Sequence, residues 1–373
     1  MSDYFPADLL SEILVKLPVK TLIRFTAVSK SWRSIITSAA FIASHLSTNS
    51  ENQTLLLTRH GKHSKLDHFS FLKASENGGF GINSSSEIKI PFEFPIEYSR
   101  IVGSCDGLVC LSNDMFFRNP SIPSIIIWNP SVRNHIVLPN PTINPIESHH
   151  VVLGFGGFGS NAYKVVRLVY VRKIDDVSCL SVPPQVEIFS LDKRRSWRRL
   201  IGGVGITLWA LKSTHCRAYV NGVVHWLAYK PFDENQPRRC SILAFDIGDE
   251  VFGEVMPPDE LAKEASASLG IFVIEDSLGI VGSNMVSWNV WVMKEYCVRE
   301  SWTKLYTIDL LEEITHFVWF WKSGEALLTI RDLGLVVYNP ETKETKDPGI
   351  YGDPYSFFVD NYVESLVLVR GHG

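Results

Sequence analysis

The chain has 373 residues, of which 45% are apolar and 20% charged, with a net charge of −4. This is the composition of a folded globular protein, long enough for one large β domain plus a small module or for two to three ordinary domains. No strongly basic or acidic block occurs, which argues against a dedicated nucleic-acid or membrane-surface binder.

The first ten residues, MSDYFPADLL, lack the basic-then-apolar pattern of a signal peptide. No run approaches the roughly 20 apolar residues that span a bilayer. Six cysteines, at 105, 110, 179, 216, 240 and 297, show neither a CxxC pair nor metal-ligand spacing. They are expected to be buried thiols of a reducing compartment. The expected location is therefore the cytoplasm, the nucleus or both.

Residues 6 to 46 predict helices. Leu9, Leu10, Ile13, Leu14 and Leu17 recur at helical spacing until Pro18 interrupts them. A second stripe carries Leu22, Ile23, Phe25 and Val28. Ser29 should cap a third helix bearing Trp32, Ile35 and Ile36, and Ser38 a last one with Phe41, Ile42 and His45. The expected organisation is a helical domain over 1–46 and a β domain over 47–373.

From Thr54 onward the texture changes to short β-branched and aromatic runs broken by Gly, Pro, Asn and Asp. A repeat is visible. Its anchors are Trp128, Phe189, Phe245, Trp291 and Tyr338, spaced by 61, 56, 46 and 47 residues, each preceded by another strand. A period of about 40–50 residues with about four strands is the mark of a propeller blade. Tryptophan and tyrosine suit the interfaces between blades, where they fill space and still satisfy one polar atom. Five units are visible. A sixth would combine the strands of 54–72 with the last run, 363–369, and close the ring. The expected architecture is a small all-α module followed by a six-bladed β-propeller, with a two-sheet β-sandwich as the alternative.

The helical segment reads FPADLLSEILVKLPVKTLIRFTAVSKSWRSIITSAAFIASHL. It resembles the F-box, the module that docks onto the Skp-type adaptor of Skp–cullin–F-box ubiquitin ligases. The matching positions are Pro6, Leu9, Leu10, Ile13, Leu14, Leu17, Pro18, Leu22, Arg24, Phe25, Val28, Lys30, Trp32 and Phe41. Phe5 departs from the usual Leu but stays apolar. The β part, through GSCDGLVCL, IWNPSVRNHIVLP, NGVVHWL and WVMKEYCVRESWTKLYTI, is similar to the kelch-like F-box-associated domain of plant F-box proteins. That broad group includes S-locus F-box proteins, which recognise pistil ribonucleases, and receptors that control immune-receptor levels.

The resemblance implies a non-catalytic substrate receptor that binds the adaptor, and through it cullin, by the F-box and a target protein by the β domain. The implied adaptor-binding residues are Pro6, Leu9, Leu10, Ile13, Leu14, Leu17, Pro18, Leu22, Phe25, Val28 and Trp32. No catalytic residue, metal or cofactor is implied, and no target-binding residue is singled out. Target-facing loops are sought at 140–150, 172–184, 229–240 and 346–356, since binding residues concentrate on loops.

Other signals point to weaker readings. Gly154 to Gly159 spell G-x-G-x-x-G, but a strand follows instead of the helix a dinucleotide site needs, so a flexible turn is expected. His149 and His150 read as a solvated loop, and His225 and His316 as satisfied core histidines. Lys193, Arg194, Arg195, Arg198 and Arg199 read as a solvated hairpin tip or a contact for an acidic target. Ten tryptophans leave room for a carbohydrate-binding β module, and a non-degradative interaction scaffold is the other alternative to the receptor reading. A propeller oxidoreductase lacks a His/Tyr/Cys cluster. A DNA-binding reading of the helices is undercut by their net charge of only +2, from five Lys/Arg and three Asp/Glu in 1–46.

Overall fold

A computed structural model describes residues 6–49, 54–73, 86–92, 98–114, 124–144, 149–159, 162–173, 176–180, 183–191, 195–201, 208–210, 217–230, 239–262, 269–283, 287–309, 314–321, 324–331 and 333–367. Four helices come first: α1 (Ala7–Leu14), α2 (Val19–Phe25), α3 (Lys30–Ile36) and α4 (Ala39–Asn49). Pro18 ends the first stripe by serving as the N-cap of α2, a place where its fixed φ and missing N–H cost nothing. Ser29 caps α3 by accepting from Trp32 N at 3.1 Å, and Ser38 Oγ accepts from Phe41 N at 3.2 Å. The last helix runs three residues beyond the expected boundary at 46.

Six antiparallel sheets follow. Blade 2 comprises Arg100–Cys105, Leu108–Ser112, Ile125–Asn129 and Asn134–Val137. Blade 3 is built on His149–Phe158, Ala162–Lys173, Gln185–Ser190 and Trp197–Arg199, and blade 4 on Arg217–Val220, Val223–Tyr229, Cys240–Asp246 and Phe252–Val255. Blade 5 holds Leu269–Ile274, Ser277–Ser283, Trp288–Met293 and Trp302–Ile308, and blade 6 Ile314–Phe320, Ala326–Ile330, Gly334–Tyr338 and Thr345–Lys346. Trp128, Phe189, Phe245, Trp291 and Tyr338 each lie on the third strand of their blade, so the repeat seen in the sequence is the blade repeat. The sandwich alternative is excluded. Asp106-Gly107, Asn221-Gly222 and Glu275-Asp276 all have positive φ, as two-residue hairpin turns require, and they fold the first strand of blades 2, 4 and 5 tightly onto the second.

Blade 1 closes the ring. Thr54–His60, Asp67–Lys73 and Ser86–Ile88 are joined by Phe358–Tyr362, which pairs antiparallel with Thr54–His60 as the innermost strand. The expected closing strand, 363–369, is corrected: strand pairing stops at Tyr362, and the described tail through Val367 leaves the sheet. Asn129 Nδ2 holds the tail by donating to Ser365 O at 3.0 Å and Val367 O at 2.8 Å. Leu366 then enters the helical core and Val367 the core between blades 2 and 3.

Each of six apolar clusters lies between two successive blades. Several tryptophans tie neighbours together as well as filling space. Trp226 Nε1 donates to Leu153 O at 3.0 Å, Trp197 Nε1 to Pro139 O at 2.8 Å and Trp302 Nε1 to Met256 O at 2.9 Å.

The glycine run is not a turn. Gly154 to Phe158 belong to the innermost strand of blade 3. An added Cβ on Gly154 would meet Trp226 at 2.5 Å, and one on Gly156 would meet Tyr219 at 2.4 Å, so these glycines admit aromatic rings of blade 4. His149 and His150 likewise begin this strand instead of lying in a loop, and the His150 ring stands 6.0 Å from Tyr170. Cys110 and Cys240 are buried and Cys105 half-buried, but Cys297 is exposed, against expectation. Cys216 and the Cys179 side chain lie outside the described residues.

Candidate docking surfaces

The helical module has its own core: Leu14, Val19, Leu22, Ile36 and Phe41, closed by Leu366 of the tail and flanked by Val132 from a blade 2 turn. His45 is buried with Nε2 2.9 Å from the Leu17 carbonyl. Ile42 and Leu46 pack against the core between blades 2 and 3. The helices are therefore fixed to the propeller by packing, not merely tethered to it.

This packing sorts the expected adaptor-binding residues. Leu14 and Leu22 are 1% and 0% exposed, so they hold the module together and present nothing outward. Leu10, Leu17, Phe25 and Trp32 are half-buried against the same core, with Phe25 and Trp32 in edge contact at 5.0 Å. Pro6, Leu9, Ile13, Pro18 and Val28 are exposed. Leu9 at 48% and Ile13 at 53% stand one helical turn apart on α1, and Val28 reaches 61%. Ile23 is also 38% exposed, a position absent from the expected set. An apolar surface that the module's own core leaves in water is suited to a partner.

Strand direction alternates within each blade, and the innermost strands neighbour one another around the ring. All six thus begin at one rim and finish at the other. The helical module sits at the finishing rim, beside the 130–133 turn and the tail that follows Tyr362. The four stretches sought as target loops connect strands at the starting rim, so they share one face, opposite the helices. Within them, 145–148, 174–175, 181–182 and 231–238 lie outside the described residues.

The starting rim is well braced. Arg167 and Glu187, 2% and 0% exposed at the side chain, pair at 2.5 Å. Glu187 Oε2 also accepts from Thr142 N, Thr142 Oγ1 and Ile143 N, and Arg167 Nη1 donates to Ile143 O at 2.7 Å. Burial lowers the Arg167 pKa, and the Glu187 carboxylate opposes that shift.

The axis holds a cavity of about 300 Å³ lined by Ser104, Tyr219, Asn221, Asp276, Trp319 and Asn361 among others. Among the described residues, no three His, Cys, Asp or Glu side chains gather where they could hold a metal ion. Cys105 lies 4.0 Å from the Tyr219 hydroxyl, and burial, aided by Asp106, pushes its thiol up to about 12, so it stays protonated at neutral pH. His225 is a core residue with Nε2 2.8 Å from the Tyr296 hydroxyl, whereas His316 is half-buried, with Nδ1 2.8 Å from Thr329 Oγ1. Trp128, Trp197, Trp226, Trp302, Trp319 and Trp321 are buried between blades, so these six form no stacking platform for sugars. Of the basic run, Lys193 and Arg194 lie outside the described residues. Arg198 pairs with Glu250, which also pairs with Lys164 at 2.8 Å, linking blades 3 and 4 instead of forming a free tip. Among the described residues no helix is long and apolar enough to cross a membrane.

Comparison with known proteins agrees with both halves. The F-box domain family model matches residues 3–43 and that of the F-box associated beta propeller domain residues 62–369. F-box protein CPR1 of Arabidopsis thaliana is 30% identical, over 97% of this chain and 88% of that protein. F-box protein At3g07870 of the same plant is 27% identical, over 95% of this chain and 89% of that protein. Among solved structures, an oligogalacturonate lyase in complex with manganese matches 80% of this chain and 74% of its own with 12% identity and a TM-score of 0.43, a likeness that carries no activity across. The chain belongs to the F-box proteins that carry an F-box-associated β-propeller domain.

Proposed function

We propose that this chain is the substrate-recognition subunit of a Skp–cullin–F-box ubiquitin ligase, acting in the cytoplasm, the nucleus or both. The observation that carries the reading is the exposed apolar set Pro6, Leu9, Ile13, Pro18, Ile23 and Val28 on a module whose core is already complete. The Skp-type adaptor covers that set and brings cullin and the conjugating enzyme. The starting rim holds a target protein, whose lysines are then modified and which is sent for degradation. No side chain of this chain takes part in bond making; rate comes from holding target and charged ubiquitin together.

The test is co-purification of the whole chain with a Skp-type adaptor, beside the variant Leu9→Asp. Wild type is expected to form a stoichiometric complex and the variant to lose it while keeping the wild-type circular dichroism spectrum. Equal recovery of adaptor by both would falsify the docking assignment.

A further inference from the structure

The segment 347–357 bridges blade 6 and the closing strand at the starting rim. It carries two tyrosines that point into water, Tyr351 at 66% and Tyr355 at 62% exposure. Exposed aromatics on a loose loop would mean little, but this loop is fixed at many points. Ile350 and Phe357 are buried between blades 6 and 1. Asp353 N donates to His60 O at 2.8 Å, His60 N to Ser356 Oγ at 2.8 Å, and Arg59 Nε to Tyr351 O at 3.1 Å. Asp347 accepts from Gly349 N and from the Tyr351 hydroxyl at 2.7 and 2.8 Å, so this exposed carboxylate is already engaged. The Tyr355 ring stacks over His316 at 6.0 Å.

The neighbouring connection at this rim, between the first two strands of blade 1, exposes Leu66 at 64% between water and the cations Lys62 and Lys65. Leu333, 63% exposed, stands on the blade 6 turn at the same rim. Amphipathic rings on a well-anchored segment, sharing a rim with exposed aliphatic side chains and cations, have the composition of an interface centre, because little side-chain freedom remains to be lost on binding.

We propose that Tyr351 and Tyr355, with Leu66 and Leu333, form the docking patch of the target, and that the segment it binds is acidic with an apolar side chain at its middle. The patch rests on the receptor role proposed above. Tyr351 and Tyr355 take the apolar anchor, and Lys62 and Lys65 face the flanking carboxylates.

The test pans a phage-displayed library of random short peptides against the full chain, alone and after incubation with a Skp-type adaptor. Selected peptides are then titrated by fluorescence anisotropy against wild type, the double variant Tyr351→Ser/Tyr355→Ser and the double variant Lys62→Glu/Lys65→Glu. Expected are peptides of net negative charge around an aliphatic or aromatic residue, bound at least about tenfold more weakly by the tyrosine variant. The lysine variant should lose them and accept basic peptides instead. Failure to enrich any peptide, enrichment of basic or neutral ones, or undiminished binding by the tyrosine variant overturns the patch. All substituted side chains are exposed, so adaptor co-purification should be unchanged. Peptide binding by a chain that takes up no adaptor overturns the ligase role alone, and adaptor uptake without peptide binding overturns the patch alone.

Discussion

Replacing Glu187 by Ala removes one charge from a pair that water does not reach. The carboxylate is 0% exposed and the Arg167 guanidinium 2%, so the remaining cation has nowhere to go. The change also strands Thr142 N, Thr142 Oγ1 and Ile143 N, each of which donates to Glu187 Oε2. Breaking one side of a buried pair costs about 3–5 kcal/mol. At about 2 °C per kcal/mol, the low end suited to a large domain, the midpoint should fall by roughly 6–10 °C. The double variant Arg167→Leu/Glu187→Leu strands the same donors and also Ile143 O, but it leaves no unpaired buried charge and should therefore cost less than the single variant. Differential scanning calorimetry of both variants on the adaptor-bound chain measures the contrast, and amide exchange at Thr142 and Ile143 should quicken in Glu187→Ala. A loss below about 1 kcal/mol, the worth of an exposed pair, would refute the reasoning. So would equal losses in the single and double variants.

Adjacent positions on α1 should separate docking from folding. Ile13→Ala should weaken adaptor binding by about 2 kcal/mol, close to thirtyfold, with the melting point unchanged, whereas Leu14→Ala should cost about 2–5 kcal/mol of module stability; surface plasmon resonance and thermal unfolding read the two. Burial lowers His225 and His316 to about 4, so the unfolded chain takes up protons that the folded one refuses. Stability from these groups is whole above about pH 6.5 and is lost as pH falls towards 4, by about 2 kcal/mol each at pH 5. Urea titrations at neutral pH and at pH 5 should show that drop shrinking in His316→Gln. Leu366→Ala should loosen the helices more than the blades; amide exchange that stays slow across residues 7–49 would show that the tail does not brace them.

The blade repeat was legible because each third strand carries a large aromatic or apolar anchor at a fixed place, as Trp128 and Tyr338 show. Ring closure was misplaced for a chemical reason. The run at 363–369 is more apolar than Phe358–Tyr362, whose Asp360 and Asn361 line the axial cavity. Apolarity marked the tail whose Leu366 and Val367 enter the helical core and the core between blades 2 and 3, while the real strand was disguised by the polar channel it faces. Gly154 and Gly156 looked like punctuation because the rings that need their space, Trp226 and Tyr219, arrive from the next blade. On α1 the apolar residues form one broad face opposite Asp8, Ser11 and Glu12, and within that face periodicity does not tell the buried Leu14 from the exposed Ile13. The shared face of the four loops follows from strand alternation and from the place of Phe358–Tyr362 as the innermost strand of blade 1, neither of which loop composition encodes.

Residues 358–366 do two jobs in succession along the chain. Phe358–Tyr362 supplies the last strand of the blade that begins at Thr54, and Leu366 completes the core around Leu14 and Leu22. A nascent polypeptide therefore holds its earliest strands unsealed and its adaptor-docking helices unfinished until almost all of this sequence has been made. A message cut short anywhere upstream yields a chain defective at both ends at once.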